Sequence, residues 1–408
     1  MRNPSGLVPR LVVVVLAAII VPCAPAEAQS VTPSAPATLA WRTRVALRAD
    51  ATYDDNVFLL SPLRKPDLAS PFAGDVTSGR FRGMEKANDI ITGLDLGVEF
   101  RGPGLGGRSF ALTPSVGYEW YAQNHERSNV GFGVAVEQAL PHQSLLQLHG
   151  DLVPSYFQKN YLSDAVDANL DGIITSDERV YSRGEFRGTG IGVDYRHRLR
   201  KDARASPTSL WLNVGGAYSS KHFDAPFQGR DLTGPTASIG LEMDRGSAFS
   251  LEVAYSQDWL DATAANQVMV LDETDFGQDL NGNATITDQN VRVVGTVDRS
   301  RVERAASGRL GLALGRHTAL RLEVEHRRRS FSSTEPLDAA NRGRRDRRNQ
   351  VGVTLTRDLS HHLRMRLGVQ RGSQRLDRLI GTAGTGEVDD YTKTEFQAGL
   401  KCTCLSTK

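Results

Sequence analysis

Residues 167–178 carry oxygen-bearing groups at a spacing that could surround one cation. The groups that we predict as ligands are Asp167, Asn169, Asp171, the Ile173 carbonyl, Thr175 and Glu178. Gly172 follows the third of these side chains and permits the sharp turn, because a left-handed backbone conformation is costly for a residue with a Cβ. Calcium takes about 6–8 oxygen ligands in flexible geometry, so this pattern predicts a bound Ca²⁺ ion.

A second segment, 279–290, repeats part of this spacing with less negative charge. Its candidate ligands are Asp279, Asn281, Asn283 and Thr285. Both segments resemble the EF-hand calcium loop, and the resemblance implies Ca²⁺ as the bound cofactor. The second segment has Ala284 in place of glycine and Asn290 in place of the closing acid, so we expect weaker binding. If the two loops pair, Ile174 and Ile286 could meet. The alternative is two polar loops that match the spacing by chance.

Long β-strands must position these loops. From Trp41 to Tyr53 apolar or small side chains alternate with mostly polar ones, and the run exceeds the roughly 5–6 residues of an average soluble strand. A barrel strand that spans a membrane needs about 9–11 residues. Similar alternation predicts strands near 89–101, 108–121, 129–140, 145–157, 181–199, 209–222, 232–244, 247–260, 292–314, 317–331, 346–358, 362–375 and 389–402. The count is about 14, an even number as in bacterial barrels.

The connections between these strands alternate between short and long. The short ones are 102–107, 141–144, 200–207, 244–247, 315–317 and 358–361. The long ones are 54–88, 122–128, 158–180, 223–231, 261–290, 332–345 and 377–388. Transmembrane barrels have short periplasmic turns and longer extracellular loops. We therefore predict an all-β fold, a transmembrane antiparallel up-and-down β-barrel over residues 41–404. Both calcium-type loops, in 158–180 and 261–290, then lie outside the cell.

The N-terminus predicts export. Arg2 and Arg10 make the segment before the apolar run 11–21 positively charged, and Ala26-Glu27-Ala28 offers a cleavage site after it. Residues 1–28 are therefore a predicted signal peptide and 29–40 a polar linker. We expect the cell outer membrane of a Gram-negative bacterium, with outer-membrane lipid, lipopolysaccharide and the outer-membrane assembly machinery as partners. The formal charge of +2 argues against a nucleic-acid partner.

The segment Tyr53-Asp54-Asp55-Asn56-Val57-Phe58 resembles the exit of the first strand in bacterial outer-membrane barrel proteins. These include the β-barrel porin 2 type and the barrels of surface-lipoprotein assembly modifiers. The resemblance implies a transport or surface-export role and brings no catalytic residues. We also find no nucleophile motif, and His125, His149 and His222 are scattered, so we do not expect an enzyme.

Charges in the lumen-facing phase of the strands nearly balance, which favours cross-strand ion pairs over an anion-selective filter. Three functions stay open: a porin-like channel for small solutes, an export or assembly barrel for a polysaccharide or surface lipoprotein, and a closed structural or adhesive barrel. The sequence leaves the oligomeric state open and gives Cys402 and Cys404 no role. An arginine cluster at 342–348 is predicted to face solvent or lipopolysaccharide.

Overall fold

A computed structural model describes residues 40–199, 208–246, 248–377 and 390–406. Fourteen strands in these ranges form a closed antiparallel barrel in which the first strand pairs with the last. The barrel strands are β1 (Arg42–Asp54), β2 (Asp89–Pro103), β3 (Ser109–Tyr121), β4 (Asn129–Leu140), β5 (Ser144–Ala165), β6 (Arg179–Arg198), β7 (Thr208–Phe223), β8 (Leu232–Arg245), β9 (Phe249–Leu260), β12 (Arg301–Ala313), β13 (Thr318–Phe331), β14 (Arg345–Asp358), β15 (Leu363–Asp377) and β16 (Tyr391–Ser406). The predicted fold class and strand number are confirmed. The predicted signal peptide lies outside the described residues.

The remaining secondary structure belongs mostly to the long loops. Strands β10 (Ala265–Asp272) and β11 (Asn290–Val297) form a separate two-stranded hairpin between β9 and β12. The α-helices are α1 (Lys65–Ala69), α2 (Ala73–Ser78) and α3 (Glu273–Phe276). Short 3-10 turns lie at Leu105–Gly107, His125–Arg127, Pro141–Gln143 and Gln228–Arg230. None of the helices in the described ranges has the length and apolar character of a membrane-spanning helix.

Two predicted boundaries were wrong. The predicted strand 292–314 is two strands, β11 and β12, because Asp298 accepts a hydrogen bond from the Ser300 backbone N–H at 2.8 Å and so replaces the strand ladder locally. The predicted loop 158–180 is largely strand, since β5 continues to Ala165 and β6 begins at Arg179. Register shifts along the β5–β6 pair interrupt the two-residue period that marks a strand in a sequence.

The outside of the barrel carries exposed apolar side chains on alternate positions of neighbouring strands. They include Leu94, Leu96, Phe132, Val134, Ile191, Ile239, Leu241, Val253, Leu322, Val324, Val351 and Phe396. Polar side chains occupy many of the alternate positions and face the lumen. An apolar outer band around a polar interior is the organisation of a transmembrane barrel.

The buried apolar clusters lie at the long-loop end of the barrel. One joins Val57, Phe58 and Met84 of the first long loop to Tyr121 and Phe157 of the wall. A second joins the β10–β11 hairpin to the loop between β13 and β14, through residues that include Met269, Leu271 and Ala339. The long loops are therefore packed structures that can hold a site in place.

Candidate functional site

The first calcium-type loop is the tip of the long β5–β6 hairpin. Asp167 accepts hydrogen bonds from the backbone N–H groups of Asp171 at 3.2 Å and Gly172 at 2.8 Å. The Asn169 side-chain oxygen accepts from Asp171 N at 3.0 Å, and Asp171 accepts from Ile173 N at 2.8 Å. These bonds wind the chain around its own side-chain oxygens.

Glu178 closes this loop. One carboxylate oxygen accepts from Ala168 N at 2.9 Å, and the other accepts from both the backbone N and the hydroxyl of Thr175, each at 2.9 Å. The carboxylate therefore joins the start of the loop to its end. The hydrogen bonds from the Thr175 and Ala168 backbone hold the pKa of Glu178 below its ordinary value, so the group is ionised at neutral pH.

The second loop has the same internal hydrogen bonds. Asp279 accepts from the backbone N–H groups of Asn283 at 3.1 Å and Ala284 at 2.5 Å. The Asn281 oxygen accepts from Asn283 N, and the Asn283 oxygen accepts from Thr285 N, both at 2.9 Å. Its four predicted ligand residues thus correspond, position by position, to those of the first loop.

The backbone conformations of the two loops also agree. The fourth residue has a positive φ in both, 58° at Leu170 and 78° at Gly282. The sixth residue does as well, with 82° at Gly172 and 64° at Ala284. A residue with a Cβ rarely adopts this conformation, so the conformation that Ala284 shares with the glycine is stabilised by the rest of the loop.

Glu273 supplies the acid that the second loop lacks at its end. It is fully buried, and its carboxylate accepts from Leu280 N at 3.1 Å, Asn281 N at 3.1 Å and the Thr287 hydroxyl at 2.8 Å. Glu178 accepts from the corresponding second and ninth loop positions. Burial alone would raise the pKa of Glu273, but the hydrogen bonds from Thr287, Asn281 and Leu280 outweigh it and hold the pKa below its ordinary value.

Glu273 was not predicted from the sequence because it precedes the loop instead of ending it. Its position depends on α3, the short helix that begins at Glu273 directly after β10. The signal available in the sequence was a loop that has oxygen-bearing side chains at its internal ligand positions but no closing acid. Such a loop calls for a search of the flanking segments for a carboxylate.

The two loops contact each other, but not through the predicted residues. Ile174 N donates to the Asn290 carbonyl at 2.6 Å, and the Ile174 side chain is buried in a cluster with Ala165 and Val270. Ile286 is half exposed. The prediction that Ile174 and Ile286 meet was wrong, because the first loop packs on β10 and the beginning of β11 and not on the tip of the second loop.

The donor sets of both loops fit a calcium ion. Within the described ranges no three His, Cys, Asp or Glu side chains form a metal-binding group of their own. Each loop instead offers a mixed set of carboxylate, amide, hydroxyl and backbone oxygens. Hard cations such as Ca²⁺ prefer oxygen ligands of these kinds, whereas zinc sites use mainly His and Cys.

The first long loop covers part of the barrel mouth and begins with the segment Asp54–Phe58. The Asn56 side chain donates to the carbonyls of Leu60 at 2.7 Å and Thr392 at 3.1 Å, and it accepts from Leu60 N at 2.8 Å. Asp54 forms an ion pair with Lys393 at 2.7 Å. The segment therefore joins β1 to β16 where the barrel closes, and it directs Val57 and Phe58 towards Tyr121 on the inner wall.

Further contacts hold this loop over the mouth. The Asn160 amide donates to the carbonyls of Gly79, Arg80 and Arg82, at 3.3, 3.1 and 2.8 Å. Helix α2 also touches the first calcium-type loop, since a Cβ added at Gly74 would lie 2.9 Å from Asp177 N. The mouth loop and the first calcium-type loop are in direct contact.

Ion pairs between strands line the lumen below these loops. Arg309 pairs with Glu252 on β9 at 3.1 Å and with Glu323 on β13 at 3.5 Å. The densest network centres on Glu303, which is 4% exposed and pairs with Arg301, Arg329 and Arg327 at 2.7, 2.8 and 3.4 Å. Most of the lumen charge is thus compensated within the wall.

The two signs of charge are nevertheless separated across the lumen. Acidic residues outnumber basic ones on β1 to β9, where the lumen-facing acids are Asp50, Asp54, Asp89, Asp95, Glu99, Glu119, Glu137, Asp151, Asp194, Glu242, Asp244, Glu252 and Asp258. Basic residues outnumber acidic ones on β12 to β16, where they are Arg301, Arg309, Arg321, Arg327, Arg329, Arg348, Arg364, Arg366, Lys393 and Lys401. The near balance of the total therefore conceals a polarised lumen.

The acidic wall contains open space. A cavity of about 380 Å³ lies along it, lined by Asp95 and Glu119 and by Gly117, Gly131 and Gly188. Lumen-facing glycines leave room that side chains would otherwise fill. On the opposite wall the cavity beside Arg309 and Glu323 is about 90 Å³.

No protein-family model and no curated protein matches this sequence. Several solved outer-membrane barrels are similar to it in overall architecture. The OmpTΔL8 loop-deletion mutant from Vibrio cholerae is 11% identical with a TM-score of 0.38, and the match covers 90% of this chain and 100% of that one. The anion-selective porin from Comamonas acidovorans is 10% identical with a TM-score of 0.37, over 89% of this chain and 99% of that one. The CymD monoaromatic hydrocarbon channel is 9% identical with a TM-score of 0.41, over 90% of this chain and 89% of that one.

Proposed function

We propose that this chain is a porin-like outer-membrane barrel that passes small polar solutes. The observation that carries the proposal is the polarised lumen, with acidic residues and glycines on one wall and arginines on the other. Charged side chains inside a barrel with an apolar exterior are stable when they line a water-filled path. Walls of opposite sign would orient a small dipolar solute as it passes.

Conductance tests this proposal directly. The refolded protein should give steady current steps in a planar lipid bilayer, and Arg309→Gln with Arg321→Gln should shift its ion selectivity towards cations. Arg357→Gln is the matched control, because Arg357 is exposed on the outer face. Absence of conductance from folded protein, with calcium and without it, would overturn the proposal.

We further propose that both extracellular loops bind Ca²⁺, with Glu178 and Glu273 as the closing carboxylates. The parallel hydrogen-bond networks and the shared backbone conformations support a common function. Three of the candidate ligands of the first loop are carboxylates, Asp167, Asp171 and Glu178, whereas the second loop has two, Asp279 and Glu273. Affinity in such loops follows ligand charge, so the first should bind more tightly, in the range of about 10⁻⁴–10⁻³ M that is typical of extracellular modules.

The bound ion would order the loops and not take part in chemistry. Calorimetric titration of the purified barrel with CaCl₂ should resolve two classes of site. This part of the proposal would be contradicted if millimolar CaCl₂ produced no heat of binding. It would also be contradicted if both sites persisted in the variant Glu273→Gln.

The covered mouth favours a second candidate, a closed barrel that displays calcium-ordered loops. Its support is the packing of Val57 and Phe58 against Tyr121 on the inner wall. The same bilayer experiment separates the two, since a closed barrel gives no steady current in either calcium condition.

A further inference from the structure

A row of outward-facing arginines crosses four neighbouring strands at the long-loop end of the barrel. Arg304 on β12 lies opposite Arg328 on β13, which lies opposite Arg347 on β14, and this residue lies opposite Arg375 on β15. All four are exposed. Residues directly opposite each other in antiparallel strands have Cβ atoms about 4.5–5.5 Å apart, so the four guanidinium groups form one continuous basic surface.

These arginines differ from those of the lumen in their partners. Among the described side chains, no carboxylate lies within ion-pairing distance of any of the four, and Arg304 donates only to the Gln257 side-chain oxygen, at 3.3 Å. The adjacent residues of the first three strands, by contrast, face the lumen and form ion pairs. Arg329 pairs there with both Glu303 and Asp346. Like charges directly opposite each other in a sheet repel, so an anion bound beside the row would stabilise it.

The row lies at the boundary of the apolar outer band. Towards the short-turn end, the outer face of β13 and β14 continues with His326 and Asn349, and then with the exposed apolar residues Val324 and Val351. The distance from Arg328 to Val324 along the strand is roughly 14 Å. The long arginine side chain can extend from this position to the boundary between membrane and water. Elsewhere at this end the outer wall carries exposed aromatic residues such as Trp120 and Trp259. Such residues are typical of the boundary between membrane and water, but unlike arginines they do not attract anions.

We propose that Arg304, Arg328, Arg347 and Arg375 bind the phosphate groups of a phosphorylated glycolipid in the outer leaflet of the membrane. The long loops place this end of the barrel outside the cell, so the row faces the headgroups of that leaflet. Arginine binds phosphate through two parallel hydrogen bonds and stays charged at all accessible pH values. Four such groups side by side can hold two phosphates of one headgroup. Arg371, exposed on the same face of β15, adds a fifth cation nearer to the apolar band.

Lipid retention in detergent micelles tests the site. The folded barrel is incubated with bisphosphorylated lipid A or with its dephosphorylated form, and bound lipid is counted by native mass spectrometry. Wild-type protein should retain the bisphosphorylated lipid, and the double variant Arg328→Gln with Arg347→Gln should retain at least tenfold less. Arg357→Gln, on the same outer face at the short-turn end, should behave as wild type.

Folded protein is identified by the change in its gel mobility on heating. If the double variant does not fold, the single variant Arg304→Gln replaces it. Equal retention by the arginine variants and wild type would overturn the proposal, as would equal retention of the dephosphorylated lipid. Release of the lipid by millimolar inorganic phosphate alone would show that the row is a site for free phosphate and not for a membrane lipid.

Discussion

Replacing Asn56 with alanine should release the first long loop from the barrel mouth. The Asn56 side chain is fully buried, and its amide makes three hydrogen bonds to the backbone of Leu60 and Thr392. Alanine cannot make any of them. The change removes no charge and leaves only a small space. Its effect on loop opening therefore measures mainly the strength of the hydrogen bonds that hold the loop against β16.

The size of the effect follows from those bonds. A hydrogen bond of this kind contributes roughly 0.5–1.5 kcal/mol, and a buried group left without a partner adds to the loss. The three bonds together predict that the closed loop loses about 2–4 kcal/mol relative to the open one. Since about 1.4 kcal/mol corresponds to a tenfold change, opening of the loop should increase roughly 30- to 1,000-fold.

Limited trypsin digestion is the assay, because the rate of cleavage follows the population of the open form when opening and closing are fast. The loop contains cleavage sites at Arg64, Arg80 and Arg82. Asn88→Ala is the matched control, since Asn88 lies in the same loop, is exposed and donates one hydrogen bond, to the Tyr53 hydroxyl at 3.2 Å. Asn56→Ala should be cut much faster than this control, and its current steps in a planar bilayer should be larger.

Similar cleavage rates and current steps for the two variants would refute this reasoning. They would mean that the apolar contacts of Val57 and Phe58, and not the Asn56 hydrogen bonds, hold the loop at the mouth. Faster cleavage with unchanged current would have a different meaning. The loop would be mobile but would not limit the passage of ions.

Three further predictions concern the buried carboxylates. Glu273→Gln should remove calcium protection from the second loop in a protease assay and leave the first loop protected, and Glu178→Gln should do the reverse. Because their pKa values are lowered, both carboxylates stabilise their loops above the ordinary pKa of glutamate. They lose this effect as the pH falls through the lowered value, so protection without calcium should persist at about pH 5 and be lost progressively once the pH is below the ordinary pKa of glutamate. Glu303→Gln should destabilise the barrel by about 3–5 kcal/mol, measured by thermal unfolding, because it removes a buried carboxylate from the partly buried arginines that pair with it.

Each of these predictions has a matched comparison. Glu85→Gln, an exposed acid in the first long loop, should leave calcium protection in both calcium-type loops unchanged. A loop that loses its order between pH 6 and pH 7 would contradict the assigned role of the two glutamates. Glu323→Gln affects a more exposed ion pair and should cost only about 0–1 kcal/mol; a loss as large as that of Glu303→Gln would show that burial does not determine these effects.

The barrel could be predicted from the sequence because its two main signals are local. Alternation of side chains marks each spanning strand, as in Trp41–Tyr53, and turn lengths distinguish the two ends of the barrel. The calcium-type loops were also found locally, because most of their ligands fall within twelve consecutive residues. Signals of this kind need no knowledge of which strands pair.

Features that depend on register or on distant contacts were not predicted. Glu273 lies outside the loop that it closes, and only the structure shows that α3 brings it to Leu280 and Asn281. The arginine row joins four residues that are separated by irregular intervals in the sequence. The predicted cluster at 342–348 contained one of them, Arg347, but it also contained Arg344, which is buried and paired with Asp346 at 2.6 Å.

The outer arginines differ from the other charged residues of this chain in how their charge is compensated. In the lumen, arginines pair with carboxylates on the same or neighbouring strands, as Arg309 does with Glu252. In the loops, buried carboxylates accept backbone N–H groups, as Glu273 does. Folding thus provides partners for charge both along the lumen and in the loops, and at the buried carboxylates these partners are needed because an uncompensated buried charge is costly. Only on the outer face does a continuous row of like charges lack such partners among the described residues. We propose that this face meets the lipid headgroups, where a neighbouring lipid can supply the counter-charge.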